Sequence, residues 1–194
     1  MFSLAFAMCI SYKELMILSG SEIRRQMDFG NIIISDFDQS RLGPNSYNLR
    51  LAPELMVYKE AILDPRQENR TATATIPDSG LVLQPGHLYL ARTMEYTETH
   101  NFVPMLEGRS SVGRFGVFVH VAAGFGDVGF AGNWTLELSC IHPIRIYPGM
   151  EICQIYYHTI LGDVQEEYHG KYQNSLDVVA SRLYQELNYT EEPR

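Results

Sequence analysis

Cysteine is scarce in this chain of 194 residues, and the few cysteines form no pattern. They are Cys9, Cys140 and Cys153, an odd number without a CxxC spacing. Neither a disulfide framework nor a cysteine-based metal site is therefore indicated. We expect these residues to pack in the core.

Long apolar runs and clustered positive charge are missing as well. Hydrophobic residues make up 45% of the chain, enough for one domain with a core, but no run is long enough to span a bilayer. The formal net charge of −8 argues against a nucleic-acid-binding surface, because binding a polyanion needs clustered lysine and arginine. The composition fits a small cytoplasmic enzyme whose partner is neither a membrane nor a nucleic acid.

One short helix is predicted near the N-terminus, and strands follow it. Ser19 and Glu22 form a capping box, Ile23 and Met27 share a face, and Gly30 marks the end. After it come short β-rich stretches separated by Pro, Gly and Asp, over residues 31–35, 46–51, 54–58, 71–76, 80–83, 87–96 and 150–160. An all-β barrel or jelly-roll-like domain is predicted.

Polar side chains are concentrated between residues 107 and 138, among glycines and short apolar runs. Such density is more typical of a built cleft than of a core. The first part is a candidate anion cradle, because backbone N–H groups, hydroxyls and guanidinium groups can converge on phosphate oxygens. Its members are Arg109, Ser110, Ser111 and Arg114, set around Gly108 and Gly113.

The two arginines of this cradle are five residues apart. On a helical turn, that spacing points them roughly 140° away from each other. Arg109 and Arg114 are therefore predicted to serve different ends of a ligand or different subunits. The alternative is a surface loop with two solvated arginines.

The last part of the stretch, residues 133–139, alternates with period two. Trp134, Leu136 and Leu138 are predicted on one face, and Glu137 on the other. This pattern indicates a half-buried strand that presents a carboxylate, although an ordinary solvated strand face is the alternative. The glycines of the preceding GFGDVGFAG permit close backbone approach to a flat ligand, which favours a site.

Four ordered motifs together resemble the dCTP deaminases of the dUTPase-like superfamily. They are GPNSYNLRL, EGRSSVGR, HVAAGFGDVGFAG and TLEL, and the similarity runs from about Met16 to about Tyr184. The resemblance implies a single domain over residues 16–194. Its fold would be all-β, a distorted jelly-roll or dUTPase-like β-barrel with one short N-terminal helix and a few helical turns. It also implies a homotrimer with active sites shared between subunits.

Residues 1–15 precede the family-like sequence. They contain an apolar run but lack the basic segment and the cleavage site of a signal peptide. We expect a non-native start or a disordered extension.

The chemistry of deamination is constrained by a missing motif. Zinc-dependent cytidine deaminases hold their metal with HxE and PCxxC, and neither occurs here. Without a zinc-bound hydroxide, a carboxylate has to deprotonate the attacking water. The resemblance assigns that role to Glu137. It implies that Ser110 and the backbone carbonyl of Ala123 orient the water, and that Arg114 stabilises the charge of the site.

Substrate contacts are implied by the same resemblance. Asp127 would accept a hydrogen bond from the 3′-hydroxyl and so select a deoxynucleotide. Mg²⁺ bound through the substrate phosphates would offset the negative field of the protein, and no residue is predicted to bind a metal directly. The predicted substrate site is Arg109, Ser110, Ser111, Val112, Gly113, Arg114, Asp127, Thr135, Leu136, Glu137, Gln154, Tyr168 and Lys171.

Several residues keep a plainer interpretation. Asp127 would be a turn former, Gln154 a buried strand residue, and Tyr168 and Lys171 ordinary surface. His120, inside the apolar FVHV, is predicted to be a hydrogen-bonded core histidine rather than a catalyst.

The predicted reaction is deamination of dCTP to dUTP. The alternatives are a bifunctional relative that forms dUMP and pyrophosphate, a plain dUTPase, and a catalytically silent nucleotide-binding regulator. The tail lacks the RGxxGFG-like motif of a dUTPase, and Glu137, which a silent regulator would have lost, is present. AGFGDVGF resembles bifunctional relatives. However, Gly126 is expected to loosen the hairpin that aims Asp127, and a short tail with Ser175 to weaken the lid, which together favour dUTP.

Overall fold

The computed structural model of the chain describes residues 16–120 and 122–188. No helix in this part is long and apolar enough to cross a membrane. The helices here are α1 Gly20–Asp28, α2 Ser110–Gly113 and α3 Leu183–Leu187, with a 3₁₀ turn at Gln39–Arg41. The strands are β1 Ile32–Ile34, β2 Tyr47–Tyr58, β3 Thr71–Thr75, β4 Leu81–Leu83, β5 Tyr89–Thr99, β6 Phe102–Gly108, β7 Val117–Val119, β8 Ala131–Cys140, β9 Ile144–Ile146 and β10 Glu151–Thr159. The predicted extension at 1–15 lies outside the described residues.

Helix α1 begins where the capping pattern predicts it. The Ser19 hydroxyl accepts a hydrogen bond from the Glu22 backbone N–H at 3.2 Å, and Ile23 is fully buried. The Glu22 side chain does not close the box, because it accepts a hydrogen bond from Gln26 in the next turn. The helix ends just before Gly30, as predicted.

One antiparallel sheet dominates the fold. Its strand order is β6-β10-β2-β5-β8-β7, with β1 added to β5 and β3 added to β2, while β4 and β9 form a separate pair. A Cβ on Gly108, at the end of β6, would lie 3.7 Å from Val119 of β7. The two outer strands therefore meet, and the sheet nearly closes into a barrel. The prediction of an all-β fold is confirmed.

Two strand predictions need correction. Residues 46–51 and 54–58 belong to one strand, β2, because a register shift between Leu51 and Leu55 accommodates Pro53 without ending the strand. Strand β6 was not predicted. Pro104 lies inside it, and proline argues against a strand unless, as here, the strand stands at the end of the sheet order.

The core fills the inside of this near-barrel. It includes the fully buried rings of Tyr47 and Tyr157. Cys140 and Cys153 are buried free thiols, which confirms the core assignment for these two, whereas Cys9 lies outside the described residues.

A buried ionic cluster joins β5, β2 and the 3₁₀ turn. The Glu95 carboxylate, fully buried, accepts hydrogen bonds from Arg41 Nη1 at 2.9 Å, from Arg50 Nε at 2.6 Å and from the Arg50 backbone N–H at 2.8 Å. Both guanidinium groups would lose their main counter-charge if this carboxylate were removed.

Glu95→Ala is therefore expected to lower the free energy of unfolding by about 3–5 kcal/mol, as is typical of breaking a buried ion pair. Urea denaturation measures the effect. The matched control is Glu54→Ala, which removes a 2.9 Å ion pair between Arg92 and a half-exposed carboxylate and should cost about 0–1 kcal/mol. Equal losses in the two variants would contradict this account of the cluster.

Candidate active site

Strand β8 forms the floor of a pocket. Trp134, Leu136 and Leu138 are buried on one face, so Thr135 and Glu137 are presented on the other, as predicted. The strand can hold a carboxylate rigidly, because it is paired on both edges, with β5 and with β7. The half-buried strand that presents a carboxylate is confirmed.

The pocket has a volume of about 460 Å³. Five residues predicted for the site line it, namely Ala123, Asp127, Thr135, Glu137 and Tyr168. Aromatic side chains, including Tyr58, Phe125, Phe130 and Tyr172, line much of the rest. A concave, largely apolar cavity with a few convergent polar groups is the usual form of a small-molecule site.

Glu137 lies beside a buried histidine. Its side chain is 38% exposed, and its Oε2 lies 3.3 Å from Nδ1 of His120. The two atoms are close but poorly aligned, so neither ring nitrogen of His120 makes a hydrogen bond within the described residues. The contact with His120 lowers the pKa of the Glu137 carboxyl, against the opposing effect of burial. The carboxylate is thus ionised and ready to accept a proton.

The backbone also joins these two residues. The His120 N–H donates to the Glu137 carbonyl at 3.2 Å, and His120 has a φ of +51°. The His120 side chain is buried, as predicted for a core histidine, but it faces the candidate base at 3.3 Å, which was not predicted.

The hairpin before β8 is tightly held. A Cβ on Gly126 would lie 2.4 Å from the Trp134 ring and 2.9 Å from the Pro104 side chain. The Gly126 N–H donates to the Pro104 carbonyl at 2.9 Å, and the Leu106 N–H donates to the Gly124 carbonyl at 2.7 Å. The expectation that Gly126 loosens this hairpin is wrong. The close packing leaves no room for a side chain at this position, so glycine is required there.

The tail, residues 160–188, is docked over the pocket. The Asn133 N–H donates to the Ser175 carbonyl at 2.8 Å, and the Asn174 N–H donates to the Ala131 carbonyl at 2.8 Å. Ser175, Val179, Ala180 and Ser181 line the cavity. The expectation that Ser175 weakens the lid is also wrong, because its backbone, which does not depend on the side chain, makes the contact with β8.

The anion cradle lies elsewhere. Arg109 and Arg114 stand at the two ends of α2, and Ser110, Ser111, Gly113 and Arg114 are exposed. None of the residues from 109 to 114 lines the pocket of Glu137. The chain therefore does not bring the two halves of the predicted site together.

Comparison with known proteins identifies the family. A family model described as dCTP deaminase-like matches residues 17–160. The chain belongs to the dCTP deaminase-like family. A protein of Cytophaga hutchinsonii named "dCTP deaminase, dUMP-forming" is 58% identical over 172 residues, which are 89% of this chain and 99% of that protein. A protein of Hathewaya histolytica with the same name is 56% identical over 172 residues, with the same coverage of both chains.

A solved structure supports the fold of this dCTP deaminase-like chain. The crystal structure of 2′-deoxycytidine 5′-triphosphate deaminase from Agrobacterium tumefaciens superposes with a TM-score of 0.60 at 22% identity, covering 75% of this chain and 48% of that one. The resemblance to dCTP deaminases and the fold drawn from the sequence motifs are both confirmed.

Other residues predicted for the dCTP deaminase-like site form hydrogen bonds or ion pairs with residues of the same chain. Arg109 Nη1 contacts Glu151, at 2.8 Å from its carboxylate and 3.2 Å from its carbonyl. Gln154 accepts a hydrogen bond from the Ser46 hydroxyl at 3.1 Å, and neither Gln154 nor Lys171 lines the cavity.

Lys171, Val112 and Leu136 have contacts within the chain that limit how their side chains can bind a substrate. Lys171 forms an ion pair with Glu186 of α3. Val112 and Leu136 are core side chains, so only their backbone is open to a ligand.

No metal cluster is visible in residues 16–120 and 122–188, where no group of three or more His, Cys, Asp and Glu side chains is arranged to hold an ion. The predicted Mg²⁺, bound through the substrate phosphates, stays a prediction.

Two contacts of the site were missed from the sequence. One is the approach of His120 to Glu137. It follows from the pairing of FVHV with TLEL as neighbouring strands, and the register of that pairing cannot be deduced from the sequence. The other is Gln173, whose side chain donates to the Gly129 carbonyl at 2.7 Å and accepts from the Ala131 N–H at 3.0 Å. No periodic signal marks this residue.

Proposed function

We propose that this chain deaminates dCTP and then cleaves the resulting dUTP in the same pocket, releasing ammonia, pyrophosphate and dUMP. One observation carries the proposal: Glu137 and Asp127 line a single cavity beneath a docked tail. Relatives at 54–58% identity that carry the name "dCTP deaminase, dUMP-forming" support it. The close packing at Gly126 and the backbone bond from Asn133 to Ser175 also support it, because both weigh against the arguments for dUTP drawn from these two residues.

Deamination begins with water attacking C4 of the cytosine ring. Glu137 takes a proton from that water and passes it to the amino group, which leaves as ammonia when the C4–N bond breaks. The second proton of the water moves from the C4 hydroxyl to N3, which leaves the uracil ring. The Ala123 carbonyl orients this water in the proposal, and Ala123 lines the same cavity. General acid–base catalysis supplies about 10²–10⁴-fold. Positioning and electrostatic stabilisation account for the remainder.

Cleavage of dUTP uses a second water. Asp127 accepts a hydrogen bond from the 3′-hydroxyl and holds this water in line with the α-phosphorus, and pyrophosphate leaves as the α,β bond breaks. Mg²⁺ held by the substrate phosphates would supply positive charge beside the leaving group. The docked tail excludes bulk water from both steps.

We further propose that the active enzyme is a homotrimer in which α2 of one subunit completes the pocket of the next. Ser110 and Arg114, to which the family resemblance assigns roles in deamination, are exposed and absent from the pocket of their own chain. Beside them lie Phe115 and Ile141, which are 68% and 56% exposed, and Phe118. An exposed apolar patch next to unused catalytic groups is what a subunit interface requires.

A complementation assay tests this assembly. Glu137→Gln damages the pocket and Arg114→Ala damages the cradle, so each pure variant should be inactive. Mixed trimers, coexpressed with two tags and purified through both, should regain activity. In each mixed trimer, about a third of the sites combine an intact pocket with an intact cradle from the neighbour. An inactive mixture, or an active monomer by light scattering, would contradict shared sites.

Product analysis tests the reaction itself. Purified chain is incubated with dCTP and Mg²⁺, with or without a zinc-selective chelator, and the nucleotides are separated by ion exchange. We expect dUMP, ammonia and pyrophosphate in equal amounts, unchanged by the chelator. Accumulation of dUTP would show that the chain only deaminates dCTP. The absence of turnover would favour a catalytically silent regulator. The cytoplasmic location stays a prediction.

A further inference from the structure

His100 joins the turn between β5 and β6 to the tail. Its Nε2 lies 2.8 Å from Oε1 of Glu98 on β5, and its Nδ1 lies 2.9 Å from Oε1 of Glu167 in the tail. The Glu98 carboxylate also accepts a hydrogen bond from the Tyr96 hydroxyl at 3.1 Å. The imidazole therefore has a carboxylate at each nitrogen, and both nitrogens can donate only when the ring is protonated.

The turn that carries Asp127 is bound at the same place. The Gly129 N–H donates to the Thr99 carbonyl, and the Tyr168 N–H donates to the Val128 carbonyl, each at 2.7 Å. The turn is thus bonded to the end of β5 on one side and to the tail on the other.

The tail also packs closely on this turn. Gly129 has a φ of +88°, and a Cβ added there would lie 2.4 Å from Cβ of Glu167. The N–H of Phe130 donates to the Asp127 carbonyl at 3.2 Å, which closes the turn. Contacts that move Glu167 therefore move the turn.

We propose that His100, bridging Glu98 and Glu167, is a positioning residue that holds Asp127 and Tyr168 in the pocket, and that cleavage of dUTP depends on this bridge more than deamination does. The inference rests on the proposed two-step function. Glu137 stands on β8, which is paired with β5 and β7 and does not use the bridge. Asp127 stands on the turn that the bridge holds. In-line attack at phosphorus tolerates little displacement of the water, since a shift of about 1 Å can cost about 10²-fold in rate.

The charges around His100 make the bridge sensitive to pH. The charged neighbours of the ring are Glu167 from the tail and Glu98 from β5. Asn31, beside β1, contributes no charge, and its backbone carbonyl accepts a hydrogen bond from the His100 backbone N–H at 2.7 Å. The hydrogen bond to Glu167, followed by that to Glu98, raises the pKa of His100, so the bridge is intact below that raised pKa. As the pH rises through it, the ring loses one donor and faces one carboxylate with a lone pair. The yield of dUMP relative to dUTP should then fall.

Two variants remove the bridge, and each has a matched control. His100→Gln deletes the titrating ring, and Glu167→Gln deletes the tail carboxylate. His87→Gln and Glu166→Gln make the same changes at exposed positions outside the bridge. We expect the bridge variants to release pyrophosphate at least about tenfold more slowly and to accumulate dUTP, with ammonia release within about twofold of the unmodified chain. The pH shift in product ratio should disappear in His100→Gln and persist in His87→Gln.

A measurement without nucleotide separates this inference from the proposed function. Amide hydrogen exchange at Tyr168 and Gly129 should quicken in His100→Gln but not in His87→Gln, because these N–H groups are bonded across the bridged contact. Unchanged exchange, or pyrophosphate release equal to that of the unmodified chain, would overturn the bridge. If the unmodified chain makes no dUMP, the two-step function fails, and the exchange rates still decide whether His100 holds the turn.

Discussion

Glu137→Gln is expected to abolish ammonia release from dCTP while the melting temperature stays close to that of the unmodified chain. The change is isosteric and removes the base, so the rate should fall by at least about 10²–10⁴-fold. The half-exposed side chain makes only the misaligned contact with His120, so folding should lose little. Ammonia release and thermal melting are the measurements.

The control for this variant is Glu107→Gln, which removes a carboxylate from the exposed side of β6, where it accepts a 3.2 Å hydrogen bond from Tyr156. It should deaminate at the unmodified rate. Because His120 lowers the pKa of Glu137, deamination should persist as the pH falls below the ordinary range of a glutamate and fail only when the lowered pKa is reached. Normal turnover by Glu137→Gln would show that another group is the base.

Asp127→Asn is expected to change the product from dUMP to dUTP. The isosteric amide can still accept from the 3′-hydroxyl but no longer holds the second water as a carboxylate does. Pyrophosphate release should fall at least about 10²-fold, whereas ammonia release, which depends on Glu137 in β8, should stay within about tenfold. Ion-exchange separation of dUTP from dUMP, with parallel assays of ammonia and pyrophosphate, measures both steps.

Asp163→Asn provides the matched control, because Asp163 is exposed in the tail and does not line the cavity. It should form dUMP as the unmodified chain does. Continued formation of dUMP by Asp127→Asn would remove Asp127 from the second step. Loss of both steps together would show that the turn also shapes the cytosine end of the pocket.

Features that depend on residues close together in the sequence were predicted correctly. The alternation around Glu137 predicted the buried and presented faces of β8, and the capping signal at Ser19 predicted the start of α1. Ordered motifs supplied the family and, through it, the fold.

The features that sequence reasoning missed are set by contacts between distant segments. Gly126 read locally as a flexible residue, but its position against Trp134 and Pro104 makes it a close-packing residue. The docking of the tail on β8 uses backbone groups of Ser175 and Asn133, which leave no compositional mark. These omissions all bear on the second reaction step.

The approach of His120 to Glu137 has a similar origin. It depends on the register between β7 and β8, since the His120 ring reaches the carboxylate only when these strands pair as they do. A one-residue shift would place the ring on the other face of the sheet. Periodicity within FVHV gives the face of each residue but not its partner across the sheet.

If one pocket carries both steps, dUTP formed at Glu137 is cleaved before it leaves. A time course with radiolabelled dCTP in the presence of a large excess of unlabelled dUTP tests this most directly. Unlabelled dUTP competes with dCTP for the pocket, so both rates can fall, but we predict that labelled dUMP and ammonia appear in equal amounts from the earliest time points. Labelled dUTP accumulating while labelled dUMP falls below ammonia would contradict a single pocket.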